Sequence, residues 1–223
     1  MHVCLFDIDG TLLASGGAGK AAVETALCEE FQVEMRGRVS YSGRTDRAIV
    51  RDLFEMHGLQ DNVANWQRLR EGYLRRLPAC LAQHNGTVLP GIKLLLEGLA
   101  EHPRVTLGLL TGNIRDGARI KLGHFGLEHH FAFGGYGDHH FDRDEVAREA
   151  LAEARRHLNG QVANERIWVI GDTPLDIRCA RAIGARVAAV ATGWHSLAEL
   201  EAAKPDLLFP HLEDAGALLK LLE

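Results

Sequence analysis

With 223 residues, 46% hydrophobic and 25% charged, the chain can bury a substantial core as one or two domains, and its composition is that of a soluble globular protein. A net charge of −5 with dispersed Lys and Arg, and no basic block interleaved with aromatics, argues against a nucleic-acid partner. No apolar stretch approaches the roughly 18 residues of a membrane span; Cys4, Cys28, Cys80 and Cys179 are too scattered for a disulfide framework; and the opening strand-like run is not a leader, so a reducing, cytoplasmic setting is expected.

In chain order, the continuous apolar run of residues 2–6 predicts a buried parallel strand ending at Asp7. Residues 18–31, 45–57 and 61–83 each suit a helix, with breaks at 37–43 and at Gly58-Leu59, and no buried strand is expected between Gly17 and Val88. A helix over 91–101 follows, with Ile92, Leu95, Leu96 and Leu99 at helical spacing. The run 104–110 is the second strand and ends in Thr111-Gly112-Asn113. A helix over 142–158 opens on an Asp cap and carries Val146, Ala147, Ala150, Leu151 and Ala154 on one face. Residues 166–170 form the third strand, ending in Gly171-Asp172, and a helix over 175–183 starts after a Pro and stops at Gly184. Residues 186–191 give a fourth strand, 207–209 a short fifth, and 212–222 a closing helix. Strands alternating with helices predict an α/β, doubly wound parallel sheet, formed by residues 1–16 and 86–223, with an inserted all-helical domain over 17–85.

In open parallel sheets ligands bind beyond the carboxyl ends of the strands. Here those ends carry Asp7-Ile8-Asp9-Gly10-Thr11, then Thr111-Gly112-Asn113, then Gly171-Asp172-Thr173-Pro174-Leu175-Asp176. A single such Asp reads equally well as a helix cap. Four carboxylates converging on one edge must be neutralised, and a hard divalent cation with oxygen ligands does that; magnesium suits a few carboxylates, waters and a substrate phosphate.

Phe6-Asp7-Ile8-Asp9-Gly10-Thr11-Leu12 resembles the first motif of the haloacid dehalogenase superfamily, Thr111-Gly112-Asn113 its second, and Gly171 to Asp176 its fourth. The inserted helices resemble the family's cap, in the manner of the phosphoglycolate phosphatases. The resemblance implies a phosphatase in which Asp7 attacks phosphorus and Asp9 is the general acid/base, with a pKa tuned upward. It implies that Thr111, Gly112 and Asn113 hold phosphate oxygens. A magnesium ion would take Asp7, Asp172, Asp176 and the Asp9 backbone carbonyl, screening a carboxylate nucleophile from a phosphate dianion.

The family's third motif is usually a Lys near the start of the helix preceding the fourth, and this chain has none there. Arg143 is the natural stand-in, with a fork of donors in place of a point charge. Lys121, earlier in the chain, is the competing candidate. The segment 15–19 is read as a hinge into the cap. Ser42-Gly43-Arg44-Thr45-Asp46 is read as the loop that faces substrate, with Arg44 reaching a carboxylate or second phosphate, or else as a helix cap with Arg44 solvated. His124, His129, His130, His139 and His140 lack zinc-ligand spacing and read as surface or loop residues; Trp66, Trp168 and Trp194 read as packing residues.

The expected activity is magnesium-dependent hydrolysis of a small phosphorylated metabolite by a monomer or homodimer. Alternatives of the same fold are a phosphomutase, a phosphonate hydrolase, for which Lys20 is the single candidate lysine between the hinge and residue 88, a true dehalogenase, which would have no use for the acid/base chemistry of Asp9, and a catalytically weak binding protein.

Overall fold

In the computed structural model, residues 1–160, 162–214 and 216–222 are described. The apolar run His2–Phe6 is β1, and Leu13–Ala14 is a short β2. Helices α1 (Ala18–Phe31), α2 (Asp46–Met56) and α3 (Val63–Gln83) come next, followed by β3 (Thr87–Val88) and α4 (Ile92–Glu101). Then follow β4 (Val105–Leu110), α5 (Arg115–His124), β5 (Phe133–Gly135), α6 (Arg143–His157), β6 (Ile167–Gly171) and α7 (Pro174–Ala182). The chain ends with β7 (Arg186–Val190), α8 (Leu197–Ala202), β8 (Leu207–Phe209) and α9 (Gly216–Leu222).

Six strands form one parallel sheet in the order β5-β4-β1-β6-β7-β8. Side chains alternate across a strand, so a strand covered on both faces must be apolar throughout. β1 shows this: Cys4 and Phe6 enter one core with Leu107, Leu109, Trp168 and Ile170, while Val3 and Leu5 enter the other with Ile167 and Val169. The first core is closed by Leu95, Leu96 and Leu99 of α4 and by Ala118 and Leu122 of α5; the second by Val146, Ala147 and Ala150 of α6 and Ile177 and Ala180 of α7. The expected doubly wound sheet is therefore present, with five of its six strands where the apolar runs lie.

Among the elements without a counterpart in the sequence are β5, the pair β2–β3 and α8. Strand β5 reads Phe-Gly-Gly, a composition that disfavours strands. Gly135 is nevertheless required, because a Cβ there would strike the Val146 carbonyl of α6. The pair β2–β3, antiparallel through Leu13↔Val88 and Ala14↔Thr87, is too short to leave a periodic signal. It sets the chain's departure into the three helices beside its return.

Helices α1–α3 share their own core of Ala22, Leu27, Leu53, Phe54, Leu69 and Leu77, joined by Ile114 at the start of α5. The Thr45 hydroxyl caps α2 by accepting from Ala48 N, and Asn62 caps α3. The loop before α2 rests on the sheet edge. Asp46 N donates to Gly112 O at 2.7 Å, and the Asp46 carboxylate accepts from Ile114 N at 2.8 Å. Gly112 admits this approach because a Cβ would run into the Arg44 carbonyl. On the outer side, the guanidinium groups of Arg47 and Arg51 lie over the Phe141 ring at 4.6 and 4.8 Å.

Two measurements follow from this packing. Leu96 is fully buried, so Leu96→Ala should cost about 2–5 kcal/mol in urea unfolding with an unchanged slope. Burial pushes the Asp46 carboxyl from 3.8 to about 6, against the pull of Lys121. A raised value means that this group's contribution to stability is complete below pH 3.8 and is lost as pH rises through about 6. Asp46→Asn should accordingly gain in Tm on the parent between pH 4 and about 6 and hold that gain above it; parallel Tm curves would refute the assignment.

Candidate active site

Because Phe6 pairs with both Leu109 and Ile170, the residues after β1, β4 and β6 emerge side by side. Asp7 N donates to Ile170 O at 2.9 Å, which holds Asp7 at the floor of a cavity of about 960 Å³ between the sheet edge and helices α1–α3. The chain then turns through Gly10, whose φ of +90° is left-handed and whose bare Cα lies against the Asp172 carboxylate, where a Cβ would collide. Asp172, 1% exposed, accepts from the Thr11 hydroxyl at 3.1 Å.

Arg143 is the first residue of α6, whose cap is Asp142. Its position at the helix start aims it back under the sheet edge, and it is buried rather than solvated. The guanidinium reaches Asp7 Oδ1 at 2.9 Å, Asp176 Oδ1, and the Gly43 carbonyl at 3.2 Å. Asp176 is fully buried in a capping box: its Oδ2 accepts from Thr173 N at 3.0 Å and from the Thr173 hydroxyl at 2.7 Å. Both Asp176 oxygens thus carry protein hydrogen bonds, so it braces Arg143 and Thr173 behind Asp7 and Asp172.

Oxygens of Asp7, Asp172 and Asp176 lie within 4.8 Å of one another. One guanidinium among three buried carboxylates leaves a surplus of two negative charges. Burial pushes the Asp7 carboxyl up, to about 6, although Arg143 pulls the other way. Burial, and then the charge of Asp7, pushes Asp172 well above the usual carboxylate range. A hard divalent cation would supply the missing charge, and this all-oxygen set fits magnesium.

Asp9 is held by three donors. Ser15 Oγ donates to Oδ1 at 3.1 Å; Asn113 Nδ2 at 2.9 Å and Lys121 Nζ at 2.5 Å donate to Oδ2. Burial pushes the Asp9 carboxyl up, but the Lys121 ammonium with the Asn113 and Ser15 donors outweighs it and holds the group below the ordinary range. The sequence reading expected the opposite direction; the correction comes from Lys121. This lysine is itself buried, bonded also to Asn113 Oδ1 at 2.7 Å, and it faces Gly19 of α1, where an added Cβ would lie 3.1 Å from Nζ. The sequence did carry a signal for it: Lys121 shares a helix face with the buried Gly117, Ala118 and Leu122.

Other candidates are distributed as follows. Gly112 and Asn113 line the cavity; Thr111 is fully buried behind them, its hydroxyl accepting from Asn113 Nδ2 at 2.8 Å. Arg44 lines the cavity too, but its guanidinium is not free for a substrate anion: it pairs with Asp52 at 2.7 Å and donates to the carbonyls of Ser40 and Ala48. The histidine pairs lie outside the cavity wall, His140 bonding Glu149 at 2.9 Å and the rings of His129 and His130 sitting 4.0 Å apart. Trp168 packs in the core as expected, whereas Trp66 lines the cavity and Trp194, 91% exposed, stands at its rim. For Trp194 the packing expectation is wrong. Among the described residues no helix is long and apolar enough to cross a membrane.

The chain is 28% identical over 230 residues to the phosphoglycolate phosphatase of Synechococcus elongatus, spanning 99% of this chain and 96% of that protein. Among solved structures it resembles CbbY from Rhodobacter sphaeroides in complex with phosphate (TM-score 0.75, 18% identity, 97% and 96% of the two chains). It also resembles a haloacid dehalogenase-like hydrolase from Streptococcus pneumoniae (TM-score 0.70, 21% identity, 98% of each). The haloacid dehalogenase-like hydrolase family matches residues 4–190, which include Asp7, Asp9, Asn113, Arg143 and Asp172, and the chain belongs to that family.

Proposed function

We propose that this protein is a magnesium-dependent phosphomonoester hydrolase working through an aspartyl-phosphate on Asp7, with residues 17–85 as the cap over its site. The observation that carries the reading is Asp7 itself: a buried carboxylate at the cavity floor, 2.9 Å from a buried guanidinium and beside the Asp172 carboxylate. Magnesium would be held by Asp7, Asp172 and the Asp9 backbone carbonyl, with Asp176 behind them. When bound, it screens the repulsion between carboxylate and phosphate dianion.

In the first half-reaction an Asp7 oxygen bonds to phosphorus while the ester P–O bond breaks. The leaving oxygen takes a proton from Asp9. In the second, water attacks the phosphoryl group, Asp9 accepts the water's proton, and the bond to Asp7 opens to release phosphate. Arg143 keeps Asp7 in place and offers its charge to the phosphoryl oxygens, the task expected of the missing lysine. Gly112 and Asn113 would contribute backbone donors, with the Thr111 hydroxyl behind them.

An Asp9 held ionised by Lys121 suits the second half-reaction directly. The first needs it protonated, and an arriving phosphate dianion raises its proton affinity because a second negative charge disfavours the ionised form. Lys121 thereby sets the starting protonation of Asp9 and fixes its orientation together with Ser15 and Asn113.

With magnesium present the protein should hydrolyse phosphate monoesters. Asp7→Asn should fall to background, and chelation by EDTA should abolish activity until metal is restored. Equal rates for wild type and Asp7→Asn would end the reading. Asp9→Asn should lower kcat by about 10²–10⁴-fold. In Lys121→Met, burial acts on Asp9 without its strongest opponent, so the limb of the kcat/KM pH profile governed by Asp9 should move to higher pH; a profile with unmoved limbs would show that Lys121 does not set that group.

A further inference from the structure

The wall that faces away from Asp7 carries information about what the cavity accepts. Five basic side chains line the cavity, Arg143 and Lys121 at the end that holds Asp7 and Asp9 and the other three beyond it, and each stands within ion-pair distance of a protein carboxylate. Lys20 stands 3.9 Å from Glu24, and Arg44 stands 2.7 Å from Asp52. Arg70 pairs with Asp116, Lys121 with Asp9, and Arg143 with Asp7 and Asp176. The Tyr41 hydroxyl donates to Glu24 at 3.0 Å. A second anion on the substrate would compete with a carboxylate already paired to the cation it approached.

Much of the distal wall is apolar, from Val23, Ile49, Val50, Trp66, Leu69 and Ile114, with the hydroxyls of Ser40, Ser42 and Tyr73 beside them. The volume of about 960 Å³ stands near the upper end for small-molecule sites, well beyond what a two-carbon ester fills. At the rim, Trp194 follows Thr192 and Gly193, all three lining the same cavity, and its indole is 91% exposed. A large aromatic side chain left in solvent at the mouth of an apolar cavity is placed to cover an apolar guest.

We infer that the substrate is a phosphate monoester whose leaving group is apolar, of aromatic size and without a second charge. The inference rests on the phosphatase reading above and narrows it. It also separates this chain from its relative in Synechococcus elongatus, whose name specifies a carboxylate-bearing ester. Selectivity arises from burial of apolar surface in the distal chamber, with Trp194 closing over the group that enters.

The test compares phenethyl phosphate with ethyl phosphate, whose leaving alcohols are of similar basicity, so that their ratio of kcat/KM reports the distal chamber rather than the chemistry. Phosphoglycolate is the third substrate, and Asp7→Asn supplies the background. Phenethyl phosphate should exceed ethyl phosphate by about tenfold or more, mainly through KM, and should exceed phosphoglycolate likewise. Trp194→Ala, at a position with little packing to lose, should shrink the phenethyl-to-ethyl ratio severalfold. A ratio near one, or preference for phosphoglycolate, overturns the inference while the phosphatase reading stands. An unchanged ratio in Trp194→Ala overturns the part given to the indole. If no ester is hydrolysed above the Asp7→Asn background, the phosphatase reading falls and takes the inference with it.

Discussion

The packing of three carboxylates around a single buried guanidinium is the constraint on which the rest of this protein depends. Arg143 touches Asp7 on one side and Asp176 on the other, and Asp176 in turn ties down the start of α7 through Thr173. Deleting one partner would leave buried charges unmatched, which costs several kcal/mol, so the cluster resists piecemeal change. It also stays incomplete on its own. Burial pushes Asp7 and Asp172 toward protonation, and a divalent cation bound there would favour the ionised forms.

A guanidinium where the family usually has an ammonium alters the geometry more than the charge. Its planar fork reaches Asp7, Asp176 and the Gly43 carbonyl at once, whereas a single ammonium would have to choose among them. The third of these contacts is with the loop that leads into α2, so one side chain joins the sheet edge, the helix beside it and the inserted helices.

The sheet was legible in the sequence because its physics is local: apolar runs of the right length, each followed by a polar strand end. Asp7, Asp9 and Asp172 were legible for the same reason. Arg143 was found as a gap in a pattern, filled by the nearest cation at a helix start. The misses share a different cause. Strand β5 is held by its pairing with β4 against its own composition, and Gly135 must be bare because α6 packs on it, a reason visible only in three dimensions. The effect of Lys121 on Asp9 spans 112 positions of chain, so the expected direction of the Asp9 shift was reversed by a partner that no local motif contains. Arg44 was judged by the loop it sits in, yet Asp52, on the following helix, had already claimed its charge. Trp194 stands 91% exposed at the cavity rim, which residue type alone does not convey.

Asp9 also has one contact that comes from the hinge. Ser15, which holds Oδ1, is the residue from which the chain leaves for α1, and Gly19 of α1 lies against the lysine that holds Oδ2. The carboxylate is therefore tied to two parts of the fold at once. Its Oδ1 answers to the segment that leads into α1, and its Oδ2 to Asn113 and Lys121 around the start of α5. A shift at either end of the chain's excursion through the three helices is felt by the same carboxylate.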